Sequence, residues 1–144
     1  WLIFYIWIIL ISKNCLLFSK EDAILILFDI DGTLIKSGEA GTRSLNKAFE
    51  ELFGICDAFH NINMAGKTDI QIMKEGLIFH KIPLNQENIE AIINKYLEHL
   101  QREIKNPYKR IMPGVINTLE YFSNKEFPLG LLTGNIEKGA RIKL

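Results

Sequence analysis

Six consecutive apolar residues, Ala23-Ile24-Leu25-Ile26-Leu27-Phe28, run straight into Asp29-Ile30-Asp31-Gly32-Thr33-Leu34. This junction constrains the fold more than any other stretch of the chain. An apolar run without alternation suits a central strand of a parallel sheet, covered by helices on both faces. Sheets of that kind bind ligands beyond the carboxyl ends of their strands, where Asp29 and Asp31 stand. Residues two apart in extended backbone share a face, so both carboxylates are expected in one pocket, with Ile30 turned into the core. Gly32 is expected to leave the strand through backbone angles closed to other residues.

Two like charges held close repel, and relief comes from a bound cation, a shared proton or neighbouring positive groups. A small set of hard oxygen ligands suits magnesium, which takes the rest of its shell from water and phosphate. Asp29 and Asp31 are therefore candidate metal ligands beside a phosphorylated compound. Asp-x-Asp-Gly alone also reads as a turn closing a strand, because Asp and Gly are common turn residues. The apolar run before it and Thr33-Leu34 after it weigh against that plainer reading.

A chain of 144 residues suffices for one domain with a core, or one domain with a small insertion. The formal net charge of +0 offers nothing basic enough to track a phosphate backbone, so nucleic acid is excluded as a partner. Cys15 and Cys56 lack metal-ligand spacing and form no disulfide framework, which leaves a reducing, cytoplasmic setting as the expectation. The apolar leader, taken as residues 1–20, stands apart. Trp1 to Ile11 is shorter than the roughly 20 residues that span a bilayer, and it lacks the basic start and small-residue cleavage site of a signal peptide. The chain begins with Trp, and its first Met is Met64. The leader reads as a clipped membrane anchor, as translated sequence upstream of the true start, or as a genuine extra strand or helix. A membrane partner is expected only if it is genuine.

Beyond the first strand, Leu45, Ala48, Phe49, Leu52 and Phe53 recur at helical spacing, with Gly54 as C-terminal cap. A polar loop through Asn61 and Asn63 leads to Gly66-Lys67-Thr68-Asp69. Ile70, Met73, Leu77 and Ile78 then mark a second helix that Thr68 or Asp69 could cap. From Gln86 to Lys105 a third helix carries Ile89, Ile92, Ile93, Tyr96, Leu97, Leu100 and Ile104 on one stripe. Residues 37–109 thus read as wholly helical. After Pro113-Gly114, Val115, Leu119 and Phe122 trace a short helix, and Phe127 to Leu132 a second strand ending at Thr133. The whole reads as a βαβ unit with an enlarged crossover.

These motifs carry a resemblance. Asp29-Ile30-Asp31-Gly32-Thr33-Leu34, a helical insertion, then Leu131-Leu132-Thr133-Gly134-Asn135 at a strand end resemble the haloacid dehalogenase (HAD) superfamily, in particular phosphoglycolate-phosphatase-like hydrolases with a helical cap. The likeness covers about Ile24 to Leu144. It implies an α/β fold: a Rossmann-like parallel sheet core, 21–36 with 110–144, carrying an all-helical cap at 37–109. It also implies a Mg2+-dependent phosphatase acting on a small phosphorylated metabolite, with phosphoglycolate the family default. Asp29 would be the nucleophile that forms an aspartyl-phosphate, and Asp31 the acid that protonates the leaving oxygen and later deprotonates water. Proton delivery of that kind favours a raised pKa at Asp31. Dehalogenases of the superfamily lack this second Asp. Thr133 and the amide of Gly134 would bind the phosphoryl group, and Lys67 sits where capped members place a substrate-specificity loop. A turn with a surface lysine and a helix cap explains Lys67 equally well. Asn135 has the weaker functional case, because Asn is a natural helix N-cap. His60, His80 and His99 read as surface or packing residues, and Tyr96 as core.

The family also expects a lysine and then an acidic Gly-Asp loop beyond Thr133. Lys138 and Lys143 follow Thr133 too soon to be that lysine, so the positive charge beside Asp29 is expected to be missing. The core is then incomplete at the C-terminus and the chain as it stands inactive. A sugar-phosphate mutase of the same superfamily and a non-catalytic remnant or binding module are the alternatives.

Overall fold

A computed structural model describes residues 7–10 and 24–144. The chain runs β1 (Trp7–Leu10), β2 (Ile26–Phe28), β3 (Ile35–Lys36), α1 (Ala40–Phe53), α2 (Asp69–Phe79), α3 (Gln86–Glu103), β4 (Arg110–Ile111), α4 (Val115–Asn124), β5 (Leu129–Thr133) and α5 (Glu137–Lys143). β2 and β5 pair in parallel with Phe28 opposite Leu131, so the ends that carry Asp29 and Thr133 lie side by side. On its other edge β5 pairs antiparallel with β1, Trp7 standing opposite Thr133. The rest of the leader, Cys15 included, lies outside the described residues.

The sheet order β1-β5-β2 corrects one expectation. β2 is an edge strand of the described sheet, half-buried along its length, and Ile24 and Leu25 ahead of it are exposed. β5 takes the central place, with Leu129, Gly130 and Leu131 buried. Apolar composition marked β2 as a strand but could not order it, because order depends on which neighbours hydrogen-bond to it.

Two apolar clusters form. Ile30, Leu34, Ile35, Leu131 and Ala140 make the one beneath the sheet ends, with Phe28, Val115 and Leu119 against it. The other belongs to the helices between β3 and β4, around Leu45, Phe49, Met73, Leu77, Ile92 and Leu100. Its local signals are those of the sequence. Gly54 closes α1 with φ 70°, its N–H bonded to the Glu50 carbonyl, and Asn85 caps α3 by accepting from the Asn88 N–H. Thr68 caps α2 by accepting from the Gln71 N–H, so the choice between Thr68 and Asp69 falls on Thr68. Lys47 and Arg43, early in α1, pair with Glu103 at the end of α3. Lys95 and His99 pair with Glu51 near the end of α1. The two helices are therefore antiparallel. The stretch between α1 and α2 is turns and irregular chain rather than helix.

Both crossings between helices and sheet are pinned. β3 pairs antiparallel with β4, and the Asn106 side chain donates to the Ser37 carbonyl at 3.0 Å. No helix among the described residues is long and apolar enough to cross a membrane.

Gly76 of α2 is packed so tightly that a Cβ there would lie 2.8 Å from Phe59 and 2.9 Å from Phe49. Alanine gains about 1 kcal/mol in helix propensity over glycine, yet overpacking a core costs about 1–3 kcal/mol. Gly76→Ala is expected to lower the thermal midpoint; a midpoint equal to or above wild type would show that the aromatic pair yields without cost.

Candidate active site

β2 ends at Phe28, and the chain turns through Asp29, Ile30 and Asp31 before Gly32, whose φ of +81° admits the reversal into the Gly32 N–H to Ile35 carbonyl bond. Ile30 is fully buried, while Asp29 and Asp31 both line a cavity of about 660 Å3 between the sheet ends and the helices. Thr133, Gly134, Lys67 and Lys143 line it too. The five residues expected at the site therefore border one space, and Lys143, set aside on its spacing, joins them. Asp29 is exposed and borders the cavity, and its side chain makes no hydrogen bond to another of the described residues.

Asp31 is not open in the same way. Lys143 donates to its Oδ2 at 2.6 Å and to Asn135 Oδ1 at 2.5 Å. Asn135 Nδ2 donates to the same Asp31 oxygen at 2.9 Å and to Thr133 Oγ1 at 2.7 Å. Four residues thus share one network: Asp31 after β2, Thr133 at the end of β5, Asn135 in the turn that follows, and Lys143 in α5. Burial pushes the Asp31 carboxyl up, but the charge of Lys143 and hydrogen bonds from Lys143, Asn135 and Ser37 outweigh it and hold it below the usual carboxylate range. The relief from like-charge repulsion at Asp31 is a neighbouring ammonium.

Positive charge is thus present in the cavity that Asp29 borders, although its partner is Asp31 and not Asp29. Gly139, Ala140 and Lys143 are the buried residues of α5, and positions three and four apart share a helix face. Lys143 lies one turn beyond Ala140 on the face that packs against the sheet, with its side chain 6% exposed. Counting residues from Thr133 concealed this; the spacing of Ile136, Ala140 and Lys143 reveals it. Lys138 is exposed on the other side. Asn135 also departs from expectation. The cap position of α5 is Ile136, with no side-chain cap bond, and Asn135 instead bridges Thr133, Asp31 and Lys143.

The loop from the helices approaches closely. A Cβ on Gly134 would lie 2.9 Å from the Lys67 carbonyl oxygen and 3.1 Å from Thr68 Cα, so only glycine fits between them. Lys67 borders the cavity, but its Nζ is held by Glu75 Oε2 at 2.5 Å. Asp69 crosses to the same turn: its N–H donates to the Gly134 carbonyl at 2.8 Å, and its Oδ2 accepts from the Ile136 N–H at 2.9 Å. The Tyr96 hydroxyl donates to that oxygen at 3.5 Å. Tyr96, 1% exposed, is thus more than core filling. Burial pushes the Asp69 carboxyl up, against the pull of the Lys143 charge and the Ile136 N–H. His80 meets the Ala58 carbonyl, His99 meets Glu51, and neither they nor His60 line the cavity.

Among the described residues, no group of three or more His, Cys, Asp or Glu side chains is placed to hold a metal. The donor chemistry nevertheless fits magnesium, which is commonly held by one or two carboxylates with water and phosphate completing its shell. Asp29, clear of the Lys143 network, is the better-placed donor of the pair.

Comparison with known proteins follows the same lines. The haloacid dehalogenase-like hydrolase family matches residues 26–144. The pyrophosphatase PpaX of Oceanobacillus iheyensis is 29% identical over 110 residues, covering 75% of this chain and 46% of its own. A hydrolase from Pseudomonas syringae superposes with a TM-score of 0.62 at 19% identity, over 85% of this chain and 54% of that one. A predicted phosphoglycolate phosphatase from Haemophilus somnus 129pt gives a TM-score of 0.55 at 21% identity, over 79% and 52% respectively. The chain spans about half the length of these relatives. With the family match running from β2 through α5, the chain belongs to the haloacid dehalogenase-like hydrolases.

Proposed function

We propose that the protein is a magnesium-dependent phosphatase of a small phosphorylated metabolite, working through an aspartyl-phosphate on Asp29. The observation that carries this reading is the pairing of an open Asp29 carboxylate with Thr133, Gly134 and the Lys143 ammonium around one cavity. The residue roles follow from charge and reach. An oxygen of Asp29 attacks phosphorus as the ester P–O bond breaks, and the departing alkoxide takes a proton from Asp31. Water then attacks the phosphorus of the acyl phosphate, Asp31 takes its proton, and phosphate leaves with Asp29 restored. Thr133 and the Gly134 N–H face the transferring phosphoryl group, where preorganised donors matter most. Magnesium held by Asp29 and Asp31 would neutralise phosphoryl oxygens and orient the nucleophile.

The depressed pKa of Asp31 opposes its role as acid while Lys143 is paired to it. A phosphate dianion that draws the ammonium to itself weakens that hold, so the acid form becomes accessible with substrate in place. We take residues 37–109 as the cap, 21–36 with 110–144 as the core, and Lys67 as the cap residue that meets a substrate anion. The pyrophosphatase relative supports transfer of a phosphoryl group to water. An exposed free thiol at Cys56 suits a cytoplasmic setting.

Phosphate release should be measured with magnesium, on the protein at the full length of its relatives, across phosphorylated two-carbon and three-carbon acids, sugars and nucleotides. Release that requires magnesium and falls about a thousandfold or more in Asp29→Asn is expected; undiminished release in that variant would sink the assignment. Lys67 is tested separately. A half-buried surface ion pair such as Lys67–Glu75 is worth about 1 kcal/mol, or about fivefold, so Glu75→Gln is expected to raise kcat/KM for carboxylate-bearing esters by up to that factor over uncharged ones. Equal change for both substrate classes would remove Lys67 from substrate recognition.

A further inference from the structure

Asp69 is buried, belongs to the helical segment, and has no part in the chemistry proposed for Asp29 and Asp31. Nor is it needed to cap α2, because Thr68 does that. Two of its contacts cross to the turn after β5. The main-chain N–H reaches the Gly134 carbonyl at 2.8 Å, and the carboxylate receives the Ile136 N–H at 2.9 Å. Those two bonds bracket Asn135 from either side. Asn135 in turn holds Thr133, Asp31 and Lys143 through its amide, and Gly134 leaves no room to shift toward the loop. Tyr96, from α3, steadies the carboxylate from behind.

We propose that Asp69 is a positioning residue for the phosphate site: reaching across from the helices, it holds the Gly134–Ile136 turn so that Thr133, the Gly134 N–H and Asn135 face the cavity together. The proposal rests on the phosphatase reading above. Its consequence is that seating of the helical segment and competence of the phosphate turn are a single event. Displacing the Gly66–Asp69 loop frees Gly134 and Ile136, and Asn135 then loses the geometry that bridges Asp31 to Lys143. A buried carboxylate aimed at a backbone N–H carries a desolvation cost that an apolar residue would avoid, which a purely packing role does not explain.

The test is the affinity for inorganic phosphate in the presence of magnesium, measured calorimetrically on the full chain. Asp69→Ala is expected to weaken binding about tenfold, the loss of one charge-assisted hydrogen bond. Asp69→Asn keeps an oxygen acceptor for the Ile136 N–H and is expected to stay near wild type. Leu77→Ala, buried in the helical cluster away from the cavity, serves as the control: it lowers stability and leaves phosphate affinity unchanged. Hydrogen exchange at the Ile136 amide is expected to quicken in Asp69→Ala and not in Leu77→Ala. If the alanine variant does not fold, Asp69→Ser, too short to reach Ile136, makes the same comparison. Affinity unchanged on losing the carboxylate, or lowered equally by Leu77→Ala, overturns the assignment. Wild-type protein without phosphate affinity overturns the phosphatase reading and this inference with it.

Discussion

Two carboxylates at the end of one strand stand together only where something positive meets them, and Lys143 meets Asp31 at 2.6 Å. Much of the local architecture serves that contact. β5 must lie beside β2 for α5 to start near Asp31, and α5 must turn its small residues, Gly139 and Ala140, inward for the lysine on the next turn to reach the cavity. Asn135 fills the space between them and hydrogen-bonds in both directions. A lysine buried this far is tolerable only when paired, so the network orients Asp31 as firmly as Asp31 holds the lysine. Asp29, two residues away and outside the network, is left as the open carboxylate.

The strand-end aspartates, the three helices of the insertion and the return through Pro113-Gly114 to β5 were all legible, because each is written in local residue pattern. An apolar run, a 3.6-residue stripe and a glycine after a helix act over a few residues. The central position expected for β2 is not met among the described residues, because strand order is a long-range property. The contact of Lys143 with Asp31 was hidden for a related reason: it follows from which face of α5 is buried, which distance along the chain from Thr133 does not give. Asn is an ordinary residue for a helix cap, and only the place of Asn135 beside Asp31 distinguishes it. The Asp69 contacts join residues 65 and 67 positions apart, beyond any motif.

The helices and the sheet ends are therefore more than neighbours. The two apolar clusters are separate, but polar bonds from Asp69, the first residue of α2, connect them at the Gly134–Ile136 turn. Only glycine fits at 134, since the Lys67 carbonyl is already in contact range. Family membership supplies the general fold of such an arrangement. The particular network of Lys143, Asn135 and Asp69 is a property of this chain's own geometry.

Mass spectrometry of the acid-quenched protein after incubation with magnesium and a reactive phosphate ester tests the central claim most directly. Phosphate on the peptide bearing Asp29, absent from Asp29→Asn, is the predicted result. Turnover of the ester with Asp29 unmodified, or phosphate carried by another residue, would contradict the account.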